Sequence, residues 1–227
     1  MLNRRPQRGL TLVELMVGIT VGLFVVAAAV MLVTTQLNDN RRLLLETQVN
    51  QDLRAAAEIV TRELRRAGHR LDAAASVWTE SGGFSPHNPF MLVDVSAAAV
   101  HFSYHRDTGA AGPLGFRREG GVLRTRLGGL WQDLTDGNTL RITEFTVTPR
   151  FGPDVRLPCP RLCADGSTDC WPTLTVRELV VDIAGHAVAD ASVARRVRSV
   201  VRLRNDWVRF NLGGSPGAPG PVCPSPS

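Results

Sequence analysis

Near the amino terminus, Arg8-Gly9-Leu10-Thr11-Leu12-Val13-Glu14 places a glycine before a long apolar run that carries a single carboxylate. From Leu10 to Val33 the only charged side chain is Glu14. A carboxylate inside an apolar span costs about 2.5–3.5 kcal/mol even on mild insertion scales, so Glu14 calls for a cationic partner. The glycine admits close approach of a peptidase to the backbone. An ordinary secretory signal is cut at small residues after its hydrophobic region, and the mature protein loses that region. Here the glycine precedes the apolar run, so cutting would leave the run on the mature chain. Ala27-Ala28-Ala29 is the competing site of the ordinary kind.

Two other sets of residues have ligating chemistry. Cys159, Cys163, Cys170 and Cys223 are even in number, and two disulfides are the expected outcome in an oxidising compartment, with three pairings open. Three of them fall within Pro158–Pro172, so at least one pairs outside that segment or stays free, and Cys223 is the natural outside partner. Zinc is the sharper alternative, but Cys-x3-Cys followed by six residues and a Cys is not a usual knuckle spacing. His101 and His105 read as one strand, where a four-residue spacing separates them by about 13 Å, too far for one ion. No His, Ser or Cys sits in a nucleophile motif, and no glycine-rich phosphate loop opens a helix. The expectation is a non-enzymatic chain with no metal and no cofactor.

Residues Leu10 to Val33 make a helix of roughly 36 Å, enough to cross a bilayer. Arg4, Arg5 and Arg8 precede it with no acidic residue among them, so the leader is expected to stay in the cytoplasm and everything after Val33 to be periplasmic. These residues resemble the class III signal of type IV prepilins. The resemblance implies that a prepilin peptidase cuts between Gly9 and Leu10 and methylates the amino group of Leu10. It also implies that Glu14, fifth in the mature chain, pairs with the charged amino terminus of a neighbouring subunit. Leu10 departs from the Phe usual at that position. Gly18 and Gly22, four apart, would let helices approach closely.

The helix is expected to continue beyond the membrane. No Gly or Pro occurs between Leu23 and Ala67, and Val49, Leu53, Ala56, Val60, Leu64 and Ala67 recur at spacings of three and four. Gly68 reads as the stop, with Arg65 and Arg66 in the last turn. Such a helix from Leu10 to Ala67 would be on the order of 87 Å long. A coiled coil is a poor alternative, because several seam positions are Ala.

After Gly68 the pattern becomes extended. Phe90–Val95, Ala99–Tyr104, Gly121–Leu127, Leu140–Arg150, Thr173–Ile183 and Val197–Leu203 read as strands. Ser81-Gly82-Gly83, Gly109–Gly115 and Asp136-Gly137-Asn138 read as turns or loops. One long helix covering an antiparallel sheet is an α+β fold of pilin-like plan. The expected divisions are a cleaved leader (1–9), a membrane or fibre-core half-helix (10–33), a periplasmic half-helix (34–68), a β-rich domain (69–212) and a flexible Gly/Pro/Ser-rich tail (213–227).

The net charge of +5 and pI near 9.8 suggest anionic partners, but all 26 basic residues are Arg and they are scattered, which argues against nucleic-acid binding as the main role. The segments Thr61-Arg62-Glu63-Leu64-Arg65-Arg66-Ala67-Gly68 and Arg195–Asn205 resemble the PilW family of type IV pilus minor pilins. The J-type minor pseudopilins of type II secretion share the plan. The resemblance implies a structural subunit that primes or caps pilus assembly from the inner membrane and then resides in the fibre, at or near its tip. The implied partners are the prepilin peptidase, other minor pilins, the major pilin, the inner-membrane assembly platform and a tip adhesin. A surface adhesin or DNA-uptake subunit is the alternative of a different class.

Overall fold

The structure is a computed structural model and describes Gly9, residues 11–71, Asn88, residues 90–106, 109–110 and 113–209, and Cys223. The leader arginines, Leu10, the Ser81-Gly82-Gly83 turn and the 213–227 tail other than Cys223 lie outside the described residues. The chain divides into two units, Met1–Leu45 and Glu46–Ser227, and one helix, α1 (Leu12–Arg65), supplies residues to both.

From Leu12 to Val33 α1 is apolar all round apart from Glu14 and Thr20. Leu12, Val13, Met16, Phe24, Met31 and Leu32 are each more than half exposed, and the helix is long and apolar enough, by length and composition, to cross a membrane. A helix with this pattern is suited to burial in lipid or in a larger assembly. Its hydroxyls are satisfied internally: Thr20 Oγ1 donates to Met16 O at 2.8 Å and Thr35 Oγ1 to Met31 O at 2.9 Å.

In the second unit the apolar residues narrow to a stripe. Val49, Leu53, Ala56, Val60 and Leu64 are buried, and Leu53, Val60 and Leu64 have no exposed surface. The N–H groups of Arg66 and Ala67 donate to Glu63 O and Leu64 O, tightening the last turn. Gly68 then takes a φ of +79°, and its N–H donates to Ser103 O at 3.0 Å while its carbonyl accepts from Asn88 Nδ2 at 2.8 Å. A Cβ there would meet Asn205 Nδ2 at 3.3 Å. Glycine therefore serves both the left-handed backbone and the close approach.

Eleven strands follow among the described residues. β1 (Val93–Val95), β2 (Ala99–Phe102), β3 (His105–Arg106), β4 (Gly109–Ala110), β5 (Leu114–Glu119), β6 (Val122–Leu127) and β7 (Leu130–Asp133) precede the long β8 (Leu140–Arg156). β9 (Thr173–Ala187), β10 (Ala194–Arg202) and β11 (Trp207–Arg209) complete the set. One antiparallel sheet has the order β1-β2-β5-β6-β7, and β3 pairs with β4 alone. In the other sheet β9 is central, with β8 along one side and β10 and β11 end to end along the other. Phe145, Val147, Val181, Ile183 and Val201 from this sheet and Phe102, Phe116 and Leu123 from the first are buried with the helix stripe. The architecture is α+β and pilin-like: a long apolar amino-terminal helix packed on antiparallel sheets.

Several local expectations are corrected. Ala99–Tyr104 is not one strand: β2 ends at Phe102, and Tyr104 turns to donate its hydroxyl to Glu63 Oε2 at 2.6 Å. Gly115 lies inside β5 rather than in a loop, because a Cβ there would sit 2.7 Å from Val100 O and 3.0 Å from His101 Nδ1. Gly120-Gly121 and Gly128-Gly129, all with positive φ, make the two-residue turns joining β5 to β6 and β6 to β7. β8 runs past Arg150 to Arg156 through a register shift between Phe151 and Asp154, where Gly152 and Pro153 sit. β9 extends to Ala187 and β10 starts at Ala194, so both are longer than their apolar cores.

Truncating the stripe should separate core from surface. Leu53→Ala is expected to lower unfolding free energy by about 2–5 kcal/mol, whereas Leu130→Ala, at a position 71% exposed, should change it by less than about 0.5 kcal/mol. Denaturant unfolding of the detergent-solubilised chain measures both.

Candidate functional site

The amino-terminal site is built on the first turn of α1. Leu15 N–H donates to Thr11 O at 3.1 Å, and Glu14 N–H donates to Thr11 Oγ1 at 3.3 Å, so Thr11 is the helix cap. Thr11 and Glu14 have capping-box spacing, a signal in the sequence that the reading of Glu14 as a lone membrane carboxylate passes over. A carboxylate in the first turn also complements the helix dipole. No hydrogen bond or ion pair to the Glu14 carboxylate is present among the described residues. Gly9 lies two residues before the cap, with nothing within 4 Å of the position of a Cβ. Gly18 and Gly22 are equally open, leaving small-residue positions on the helix surface.

The cysteines form two disulfides, Cys159–Cys223 and Cys163–Cys170, and no described cysteine is free. Cys159 and Cys223 are buried with Trp171 packed against them, and Trp171 Nε1 donates to Arg161 O at 2.8 Å. The shorter bridge closes a loop in which the side-chain and backbone hydrogen bonds of Ser167 hold the Asp165 carboxyl below its usual range. Arg156 pairs with Asp169 across this segment. Thus the connection between β8 and β9 is held by covalent bonds and local turns rather than by the main core.

His101 and His105 are not brought together. His101 lies edge-on to Trp131 at 5.9 Å between ring centroids, and His105 edge-on to Phe90 at 6.1 Å. Among the described residues no group of three His, Cys, Asp or Glu could hold a metal ion.

One ionisable residue that the sequence reading did not single out is central to the domain. Arg177, on β9, is buried, and burial lowers its pKa, opposed by the nearby Asp206. Its Nη1 donates to Met91 O at 2.7 Å and its Nη2 to Asn205 O at 2.8 Å, tying the approach to β1 to the link between β10 and β11. The alternation of β9 points Arg177 inward, but nothing in the sequence names its two carbonyl partners.

Residues 42–203 match the family described as prepilin peptidase-dependent protein B. The chain belongs to the prepilin peptidase-dependent protein B family. Residues 4–30 match the prokaryotic N-terminal methylation motif, which spans Gly9, Thr11 and Glu14. Neither a curated protein nor a solved structure matches the chain. As a member of the prepilin peptidase-dependent protein B family, the chain has a pilin-like plan with a membrane-anchoring amino-terminal helix and a context of processing by prepilin peptidase.

The two disulfides should differ in weight. In the chain-entropy model the Cys159–Cys223 bridge, with a sequence separation of 64, contributes about 4 kcal/mol, and Cys163–Cys170, with a separation of 7, about 2.5 kcal/mol. Paired Cys→Ser variants compared by denaturant unfolding are expected to show the larger loss for the first pair.

Proposed function

We propose that the chain is a minor pilin, a non-catalytic structural subunit that primes or caps a type IV pilus. The observation that carries this is the order of features at the amino terminus: glycine, helix cap, carboxylate and all-round apolar helix, within the matched methylation motif. Prepilin peptidase cuts between Gly9 and Leu10 and methylates Leu10. Thr11 remains on the mature chain, so the cap of α1 survives the cut. The apolar part of α1 holds the subunit in the inner membrane, and the β-rich unit stands in the periplasm.

Glu14 is the group that makes transfer to the fibre favourable. In lipid its charge is costly; beside a neighbour's methylated amine, which remains cationic, the cost is offset. The affinity with PilW minor pilins is supported by Thr61–Gly68 and Arg195–Asn205. In the structure these are the end of α1 and the strand β10 with the link that follows it. A J-type minor pseudopilin shares the processing and the plan, so loss of pili with intact exoprotein secretion distinguishes the pilus role. The partners are the prepilin peptidase, the assembly platform, other minor pilins, the major pilin and a tip adhesin.

Glu14→Ala tests the mechanism in a deletion strain. The variant should be cleaved, accumulate in the inner membrane and fail to restore piliation, because insertion becomes easier by about 2.5–3.5 kcal/mol while the attraction to a neighbour is lost. Pili restored to wild-type level would refute charge pairing for this subunit. Immunoblots of membrane and sheared-pilus fractions give the readout.

A further inference from the structure

Among the described residues, the sheet containing β9 has an unpaired edge along β10. Leu203 N–H donates to Arg177 O at 3.0 Å, and the register continues with Val201 opposite Leu179, Ser199 opposite Val181 and Val197 opposite Ile183. In an antiparallel ladder alternate residues bond to the partner strand, so these residues turn their backbone groups toward β9. Arg196, Arg198, Val200 and Arg202 therefore turn theirs away. No described residue pairs with that side of β10.

The side chains of the same four residues share the sheet face remote from the helix stripe. Arg196 pairs with Glu144, Arg198 lies 3.8 Å from Asp182, and Arg202 lies 3.1 Å from Asp206. These arginines keep 57%, 59% and 62% of their side chains exposed, and a guanidinium carries five N–H donors, so each retains donors beyond its intrachain acid. Val200 stands among them, 55% exposed. Among the described residues, Asp182 Oδ1 and Asp206 Oδ1 have no hydrogen-bond partner, so the internal acids do not saturate the arginines through both oxygens.

We infer that the β10 edge accepts an extended segment of a different protein subunit, with Asp or Glu at alternate positions facing Arg196, Arg198 and Arg202. Strand addition supplies the unspecific part of the affinity through the outward N–H and C=O groups, and the arginine row supplies selection. A second copy of β10 is the wrong occupant. Paired antiparallel about Ser199, it would set Arg196 against Arg202, and like charges directly opposite are destabilising. The same arginines thus protect the edge from self-pairing and admit an acidic partner.

The inference rests on the reading of the chain as an assembly subunit, but the two fail separately: absence of processing and piliation effects contradicts that reading, whereas the following experiment concerns this edge alone. A photo-crosslinking amino acid replaces Val200 in the full-length chain, expressed in its native host. Irradiation is expected to give a discrete heterologous protein adduct, with Asp or Glu within two residues of the attachment point by mass spectrometry. Arg196→Glu combined with Arg198→Glu should cut adduct yield about tenfold or more, as expected for lost charge complementarity. With the probe moved to Arg202, Val200→Pro should also cut the yield, since it removes only an outward N–H. Unfolding midpoints of both variants serve as the folding control, and if the proline variant unfolds the charge reversal decides alone. No adduct, an adduct solely with a second copy, or a yield indifferent to the charge reversal would overturn the inference.

Discussion

The burial of Leu53, Val60 and Leu64 beneath the sheets is the contact on which the remaining structure depends. A helix of 54 residues draws little net stability from propensity; in a folded protein it is held by its apolar face. Each of these side chains contributes about 1.5–3 kcal/mol when removed from water. Polar contacts then fix rotation and position. Glu46 meets Arg195 at 2.6 Å, and Glu63 accepts from Tyr104, so the stripe is locked near both ends of the portion within the second unit. The exposed ion pair adds little energy by itself, about 0–1 kcal/mol, but it opposes sliding of the helix along the sheet.

The end of the helix is where several parts of the domain converge. Gly68 contacts Ser103 and Asn88 by hydrogen bonds, and the neighbouring His69 carbonyl accepts from His105 N–H at 2.8 Å. Asn205, close to Gly68, gives its carbonyl to Arg177, which also holds Met91. A buried guanidinium is costly unless its donors find acceptors, and here the carbonyls of Met91 and Asn205 accept from Nη1, Nη2 and Nε. Disrupting any one of these residues would loosen the helix end, the approach to β1 and the β10–β11 link together.

The helix and its stop were legible in the sequence because their signals are local. An uninterrupted run without Gly or Pro, a stripe from Val49 to Leu64 and a glycine at 68 all act within a few residues of themselves. The Gly9–Glu14 spacing, inside the matched methylation motif, is legible for the same reason, and so is the Thr11–Glu14 capping spacing. The strands were less legible. Gly115 looks like a breaker until Val100 and His101 are seen above it, and the short β11 owes its existence to a pairing partner far along the chain, β9. Arg177 was hidden for a related reason: its partners are backbone carbonyls, which have no identity in the sequence. The cysteines revealed their number and left the pairing open, since the covalent partners depend on where the chain returns.

The central claim is that the apolar part of α1 is retained on a mature chain whose new amino terminus begins at Leu10. Mass spectrometry of the protein purified from membranes of its native host tests this most directly. An N-methylated Leu10 as the first residue is the expected result. An intact leader, or a chain beginning near Val30 after cleavage at the Ala27-Ala28-Ala29 segment, would contradict it.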